Sequence, residues 1–298
     1  MRATDRDMPV DLSGRPLALV KGAGDLATGV ALRLRAAGFA VVMTEIERPT
    51  VVRRSAAFAE AVYEGRTIVE DVEAVLAGSP DGIGALLGRG VIPVVVDPSA
   101  ALRREIRPLV LVDAIVAKVN LGTRIDDAPA VIALGPGFVV GRDVHAVVET
   151  MRGHDLGRVI YEGAALSNTG VPGEVGGFAD ERILRSPGEG VFRATREIGD
   201  HVGRDEVVGH VGDQPVPARV GGVLRGLLRS GLDVRPGFKL GDVDPRAQPE
   251  LCFAVSDKAR AVAGGVLEAA CALLGGVGAI GRDVSPAPRG RRQQAQEA

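Results

Sequence analysis

A glycine-rich turn at residues 21–29, Lys-Gly-Ala-Gly-Asp-Leu-Ala-Thr-Gly, most constrains what this chain can fold into. The apolar run at 17–20 that precedes it has the composition of a buried strand. Apolar residues at helical spacing follow over 30–38, and a second apolar strand over 40–44 leads into Glu45. The order strand, Gly-x-Gly-x-x-Ala, helix, strand, acid is typical of a nucleotide-binding βαβ unit.

This turn offers a phosphate site. Its first two glycines allow a tight turn and a close backbone approach, and the helix N-terminus presents free N–H groups and the positive end of its dipole. A carboxylate about 20 residues further on can accept a hydrogen bond from a ribose hydroxyl. The residues predicted to bind the nucleotide here are Gly22, Gly24, Asp25, Ala27 and Glu45. The alternative is a βα turn that uses glycine only for packing.

Strands and helices alternate across 16–125, which predicts a Rossmann-like nucleotide-binding domain. Strands are predicted at 91–97 and 109–118, and helices at 56–63 and 69–77. Such alternation favours an α/β fold in which helices cover both faces of a parallel sheet.

Ligands bind such sheets beyond the carboxyl ends of the strands. Polar residues that follow the later predicted strands therefore join the candidate cofactor site: Asp97, Lys118 and Asn120. A helix cap or turn is the alternative role for the acids Glu45 and Asp97.

Residues 126–184 form a predicted irregular α/β segment. A strand is predicted at 131–134, and the stretch from Asp143 to His154 is predicted to start as a helix with Asp143 as its N-cap. Helical spacing would place His145 and Glu149 on one face, where with His154 they form a weak candidate for a metal or acid–base cluster. A hydrogen-bonded surface pair is favoured, and no metal site is predicted. The aperiodic stretch 163–177 is a predicted long loop, a kind of segment that is often functional.

Residues 185–246 contain an internal repeat. Gly-Val-Phe-Arg at 190–193 matches Gly-Val-Leu-Arg at 222–225, and valines and glycines continue the match at the same offset. Two copies of short strands resemble the biotinyl/lipoyl barrel-sandwich domain, which predicts a C-terminal all-β barrel-sandwich hybrid. Carrier domains of that type present a lysine on the hairpin between the copies. The corresponding segment 211–216 has no lysine, so neither biotin nor lipoate is expected.

The C-terminal part, 249–280, is predicted to form a strand at 251–255 and then a helix that returns to cover the N-terminal sheet. Ser256 and Asp257 can cap this helix, and the pair Gly264-Gly265 inside it indicates close packing or a ligand approach. Residues 1–15 and 284–298 are predicted to be disordered.

Composition narrows the classes of function. The 298 residues carry a net charge of −2 and only 3% aromatic residues with no Trp, so neither a basic field nor stacking platforms for nucleic acid are expected. No signal peptide or membrane-spanning stretch is found in the sequence, which predicts a cytoplasmic protein without membrane partners. The two cysteines, Cys252 and Cys271, lie among apolar residues and are interpreted mainly as buried thiols.

Several motifs together resemble one family, the accessory proteins of the selenium-dependent molybdenum hydroxylase system (the YqeB family). The motifs lie at residues 21–29, 45–49, 58–65, 134–138, 152–154 and 256–260. The family is similar in context to the XdhC/CoxI maturation factors, which carry a Rossmann-like nucleotide-binding region.

The resemblance implies an accessory factor that matures a molybdenum hydroxylase. Such a factor would bind a molybdopterin dinucleotide or another nucleotide, dock on the hydroxylase apoprotein, and assist sulfuration, selenation or insertion of the cofactor; a homo-oligomer is possible. A persulfide carrier needs an exposed thiolate of low pKa, for which Cys252 is the better candidate of the two cysteines. No catalytic residue can be assigned. The alternatives are an NAD-dependent oxidoreductase and a non-enzymatic scaffold.

Overall fold

A nine-stranded mixed sheet forms the larger part of the molecule in a computed structural model that describes residues 14–79, 81–170 and 173–275. Its strands are β1 (Leu17–Lys21), β2 (Ala40–Glu45), β3 (Arg66–Val69), β4 (Val72–Leu76), β5 (Ile92–Val96), β6 (Val110–Asp113), β7 (Ala130–Leu134), β8 (Ala146–Val148) and β9 (Val159–Ile160). They are arranged in the order β3-β4-β5-β2-β1-β6-β7-β8-β9. The seven central strands pair in parallel, and the two edge strands pair antiparallel to their neighbours.

Helices cover both faces of this sheet: α1 (Asp25–Ala36), α2 (Ala61–Glu64), α3 (Asp81–Gly88), α4 (Arg103–Ile106) and α5 (Asp257–Leu273). Strand β1 is apolar on both faces because both faces are buried. Ala18 and Val20 pack into the core that α1 and α5 cover, whereas Leu17 and Leu19 pack into the core on the α3 side. A strand buried on both faces needs an unbroken apolar run, which β1 has.

Eight further strands form two antiparallel sheets of four strands each. They are β10 (Ile183–Arg185), β11 (Gly190–Ala194), β12 (His201–Val202), β13 (Val207–Val211), β14 (Gln214–Pro217), β15 (Gly222–Leu227), β16 (Asp233–Val234) and β17 (Lys239–Asp244). The sheet orders are β10-β17-β15-β12 and β14-β13-β11-β16. A common core between them includes Phe192, Leu224, Leu227 and Leu240.

The repeat appears in this part as pairs of equivalent strands. Strands β11, β12 and β13 correspond to β15, β16 and β17, and the short middle strands are exchanged. Thus β12 pairs with β15 of the second copy, and β16 pairs with β11 of the first.

The predicted fold, a Rossmann-like parallel sheet joined to a biotinyl/lipoyl-like barrel-sandwich hybrid, is wrong. The large sheet is mixed, because a β3–β4 hairpin closes one edge and antiparallel β9 closes the other, and it continues to residue 160. The C-terminal part forms two separate sheets, each with a strand outside the repeat, β10 or β14.

Four local predictions are also corrected. Residues 69–77, predicted as a helix, contain strand β4, and 56–63 contains short 3-10 turns followed by the single turn α2. The helix predicted from Asp143 to His154 is absent, and β8 lies there instead. The strand predicted at 251–255 is replaced by a 3-10 turn, Pro249–Cys252.

The segment that follows β2 joins the large sheet to the small ones. The Val52 carbonyl accepts a hydrogen bond from the Leu227 N–H at 2.7 Å, and the Arg54 Nε donates to the Leu227 carbonyl at 3.1 Å. Arg54 also pairs with Glu197 at 2.9 Å. Residues 52–54 therefore link the large sheet to the small sheets.

None of the described helices is both long and apolar enough to cross a membrane. The segments predicted to be disordered, 1–15 and 284–298, fall outside the described residues except for Gly14 and Arg15.

Candidate functional site

A cavity of about 710 Å³ lies between the carboxyl edge of the large sheet and the small sheets. Residues that follow β1, β6, β7 and β8 form one wall, and residues of β10, β15 and β17 form the other. Its charged lining consists of eight cations, Arg53, Lys118, Arg152, Arg182, Arg185, Arg225, Lys239 and Lys258, and three carboxylates, Asp25, Glu149 and Asp242. We call it the cationic cavity; its excess of positive charge suits an anionic ligand.

Three of these arginines are buried. Arg53, Arg182 and Arg225 are only 7%, 9% and 7% exposed, and the Nε atom of each has no hydrogen-bond partner among the described residues. Burying a guanidinium is costly unless an anion compensates it. Three such groups around one cavity therefore indicate a place for an anion.

Residues of the chain satisfy only part of the hydrogen-bonding capacity of these three arginines. Arg182 Nη1 contacts Asp242 at 3.0 Å, and its Nη2 donates to the Gly173 carbonyl at 2.9 Å. Arg53 donates from Nη2 to two backbone carbonyls but reaches Asp25 only at 3.8 Å. Arg225 makes no hydrogen bond within the described chain and lies 3.7 Å from Asp244. Burial and the neighbouring Arg53 guanidinium lower the pKa of Arg225.

The N-terminus of α5 also opens on the cationic cavity. Ser256 caps the helix by accepting the Ala259 N–H at 3.1 Å, and Asp257 forms a bidentate pair with Arg152 at 2.9 and 3.0 Å. Two motifs of the family resemblance, 152–154 and 256–260, therefore meet at this cavity. Hydrogen bonds from Arg152 hold the pKa of Asp257 far below its usual value.

Lys258, beside this pair, makes no hydrogen bond or ion pair with any described residue. Burial lowers its pKa, and the Arg152 and Lys239 cations add to this effect while Asp25 opposes it. Its ammonium thus has hydrogen-bonding capacity that the described residues do not use.

The glycine-rich turn lines a second cavity of about 640 Å³, the glycine-turn cavity. It lies along the same sheet edge, beyond β1, β2, β5 and β6. The two cavities adjoin, because Asp25, Arg53, Val116 and Lys239 line both.

Gly22 gives this turn its shape. Its φ is +98°, and a Cβ there would lie 3.2 Å from the backbone of Ala114 and Ile115. Gly24 has an ordinary φ of −65°, and a Cβ there would make a normal contact of 3.6 Å with Val51. Ala27 is fully buried in the core, so it supports α1 and has no surface for a ligand.

The Glu45 carboxylate stabilises the glycine-rich turn through backbone hydrogen bonds. Its Oε2 accepts the Ala23 N–H at 2.9 Å, and its Oε1 accepts the Ile46 N–H at 2.8 Å. Burial raises the pKa of Glu45, although these two N–H groups oppose the shift.

Of the other predicted cofactor residues, two line a cavity and one does not. Asp97 lines the glycine-turn cavity. Burial acts to raise the pKa of its carboxyl, but N–H donors, including Leu102 at 2.8 Å, outweigh that effect and lower it. Lys118 lines the cationic cavity and is exposed, and Asn120 lines neither cavity. The Asn120 side chain instead bonds the backbone of Gly122 and Thr123.

The loop after β6 carries backbone strain where it borders the site. Val116 and Lys118 have φ values of +57° and +67°, which is unusual for any residue with a side chain and most of all for a β-branched one. Gly137 supports this loop, since a Cβ there would lie 2.7 Å from the Val119 nitrogen. Strained backbone of this kind clusters at ligand sites.

Lys21 belongs to a buried network that joins β1 to β6. Its Nζ donates to the Thr123 hydroxyl at 3.0 Å and lies 3.5 Å from Asp113. The Thr123 hydroxyl in turn donates to Asp113 at 2.5 Å. Lys21 is therefore a structural cation.

The histidine cluster does not form. His145 lies directly before β8 and Glu149 directly after it, not on a helix. His145 Nδ1 accepts the Val131 N–H, and Glu149 accepts three backbone N–H groups. His154 is exposed on a turn. Within the described ranges no group of three or more His, Cys, Asp or Glu side chains is placed to hold a metal ion.

Both cysteines are free thiols, Cys252 fully buried and Cys271 half-buried. Burial raises the pKa of the Cys252 thiol. A protonated, inaccessible thiol is poorly suited to carrying a persulfide.

Comparison with known proteins gives a clear relative. The chain is 52% identical over 266 residues to "Uncharacterized protein YqeB" of Escherichia coli (strain K12). The chain is a homologue of YqeB. The match covers 89% of this chain and 49% of YqeB, so the chain spans about half the length of that relative. The name YqeB agrees with the family resemblance of the motifs and states no function. No family model matches the chain.

Solved structures give only weak likenesses. The ectoine utilization protein EutE (DoeB) of Ruegeria pomeroyi matches at a TM-score of 0.25 and 13% identity, covering 77% of this chain and 85% of that one. An aspartoacylase family protein of Mesorhizobium loti matches at 0.26 and 13%, covering 81% and 93%. Likenesses at these TM-scores carry no conclusion about this chain.

Proposed function

We propose that this chain binds a phosphate-bearing, nucleotide-type cofactor in the cationic cavity and acts as an accessory factor for a molybdenum hydroxylase. The observation that carries the binding proposal is the set of three buried arginines with unpartnered Nε atoms around one cavity. Guanidinium and ammonium groups are the side chains that best bind phosphate oxygens.

The residues present fit a dinucleotide. A cavity of about 710 Å³ is within the range of small-molecule sites, and α5 adds the positive end of its dipole to the cationic lining. Molybdopterin dinucleotide is the ligand that the family resemblance favours. When bound, it would supply the metal and dithiolene chemistry, and this chain's residues would hold its phosphates and keep it from water.

Isothermal titration calorimetry with pyrophosphate tests the binding site. Wild-type protein is expected to bind pyrophosphate, and Lys258→Gln is expected to weaken binding by about tenfold because a charged donor is lost. Arg260→Gln on the same helix is the matched control, since Arg260 lies outside both cavities. Absence of pyrophosphate binding, or equal affinity in both variants, would contradict the proposal.

Native mass spectrometry identifies the ligand. The protein is mixed separately with extracted molybdopterin dinucleotide, NAD, ATP and CTP. Retention of the pterin dinucleotide, together with its delivery to a molybdenum hydroxylase apoprotein, supports the accessory role. Retention of NAD alone would instead favour the NAD-dependent oxidoreductase.

A further inference from the structure

The glycine-turn cavity differs from the cationic cavity in what it can bind. Apart from the residues that both share, its charged lining consists of Lys21, Glu45 and Asp97. Lys21 is engaged by Asp113 and Thr123, which leaves two carboxylates facing this space. The glycine-turn cavity therefore lacks the excess of positive charge that suits phosphate in the cationic cavity.

An internal carboxylate already lies at the glycine-rich turn. Glu45 Oε2 accepts the Ala23 N–H two residues before α1 begins, which places negative charge near the helix N-terminus where a phosphate would bind. The predicted role of the turn as a phosphate cradle thus conflicts with the charge found there.

The remaining walls of the glycine-turn cavity are apolar. Ile46, Ile115 and Leu121 line it and are 40%, 36% and 55% exposed, which is unusual for large aliphatic residues grouped at one site. Val51 and Val116 extend this apolar surface toward the cationic cavity. Apolar walls with a few polar groups suit a flat ring.

We propose that the two cavities bind the two ends of one ligand, its phosphates in the cationic cavity and an amino-substituted heterocycle in the glycine-turn cavity. Each carboxylate oxygen can accept a second hydrogen bond and donates none, so Glu45 and Asp97, beyond the N–H and O–H groups they already accept, select a ring that carries N–H donors, as guanine and pterins do. The shared residues Asp25 and Arg53 mark the junction between ring and phosphates. This inference rests on the proposed phosphate binding.

Calorimetric titrations of the full chain with pyrophosphate, guanosine diphosphate and inosine diphosphate test the inference. Guanosine diphosphate is expected to bind at least about tenfold more tightly than pyrophosphate, because the ring adds apolar contact and hydrogen bonds. Inosine diphosphate, which lacks the exocyclic amino group, is expected to bind more weakly than guanosine diphosphate.

A blocking variant locates the ring. Ile46→Trp fills the glycine-turn cavity and is expected to lower the affinity for guanosine diphosphate to about that of pyrophosphate. Ile68→Trp is the matched control, because Ile68 is 60% exposed on edge strand β3 and lines neither cavity.

The outcomes separate the two proposals. If pyrophosphate binds but guanosine diphosphate binds no better, or keeps its advantage in Ile46→Trp, the two-part site is wrong while phosphate binding stands. Equal affinity for the guanosine and inosine compounds overturns the selection of an amino group. If no phosphate compound binds, the proposed function fails and this inference fails with it.

Discussion

Gly22 and Gly24 belong to the same turn, yet only Gly22 occupies a conformation and a space that demand glycine. Gly22→Ala is expected to lower the free energy of unfolding by about 1–3 kcal/mol, since φ of +98° is strained for alanine and the Cβ would crowd Ala114 and Ile115. Gly24→Ala is expected to change it by less than about 1 kcal/mol, because a small capping cost is offset by a less flexible unfolded chain.

Urea unfolding followed by circular dichroism measures both changes. Equal losses in the two variants would show that Gly24 has a structural role which its φ and its surroundings do not reveal.

At the residue scale the sequence points to the sheet edge but not to the buried arginines. Glu45 and Asp97 follow apolar strands, so pattern alone places them at the sheet edge. Arg53, Arg182 and Arg225 cannot be found that way, because they come from distant parts of a chain that holds 36 Lys and Arg residues. These three arginines are buried together only because the small sheets pack against residues 52–54.

Helix α5 offers a test at the scale of one element. A Cβ on Gly265 would lie 2.2 Å from the Gly157 carbonyl oxygen, whereas a Cβ on Gly264 would meet nothing within 4 Å. Gly265→Ala is expected to cost about 1–3 kcal/mol through overpacking. Gly264→Ala is expected to stabilise by up to about 1 kcal/mol through helix propensity.

Thermal unfolding of the two variants distinguishes these effects. The two variants are well matched, because each replaces one glycine of α5 with alanine. A loss of stability in Gly264→Ala would mean that its neighbourhood is tighter than the structure indicates.

Elements with an unambiguous pattern are predictable from the sequence, and the others depend on their partners. Strands β1 and β5 are uninterrupted apolar runs, and α5 has a cap and an apolar stripe, so their positions follow from local sequence. Strand β4 does not, because Val72-Glu73-Ala74-Val75-Leu76 fits a helix as well as a strand. Its pairing with β3 and β5 makes this segment a strand.

At the scale of the whole molecule, the ligand cavities depend on how the large sheet and the small sheets are held together. Arg54 lines neither cavity but joins the layers through Leu227 and Glu197. Arg54→Met is expected to weaken pyrophosphate binding by about 0.5–2 kcal/mol, which is about two- to thirtyfold in Kd, because the two walls lose their alignment.

Arg66→Met is the control, since Arg66 forms an exposed ion pair with Glu73 within the β3–β4 hairpin. Calorimetry at one ionic strength compares the variants. Unchanged affinity in Arg54→Met would mean that other contacts align the walls.

The exchange of β12 and β16 between the two copies of the repeat has a consequence for how the protein is made. Strand β11 cannot gain its partner β16 until residues 233–234 have been synthesised, some 40 residues later. When the first copy of the repeat leaves the ribosome, the edge of β11 that pairs with β16 therefore stays unpaired until the second copy follows. Translational pausing within this interval would prolong that exposure, so this interval is one in which the growing chain is vulnerable to aggregation.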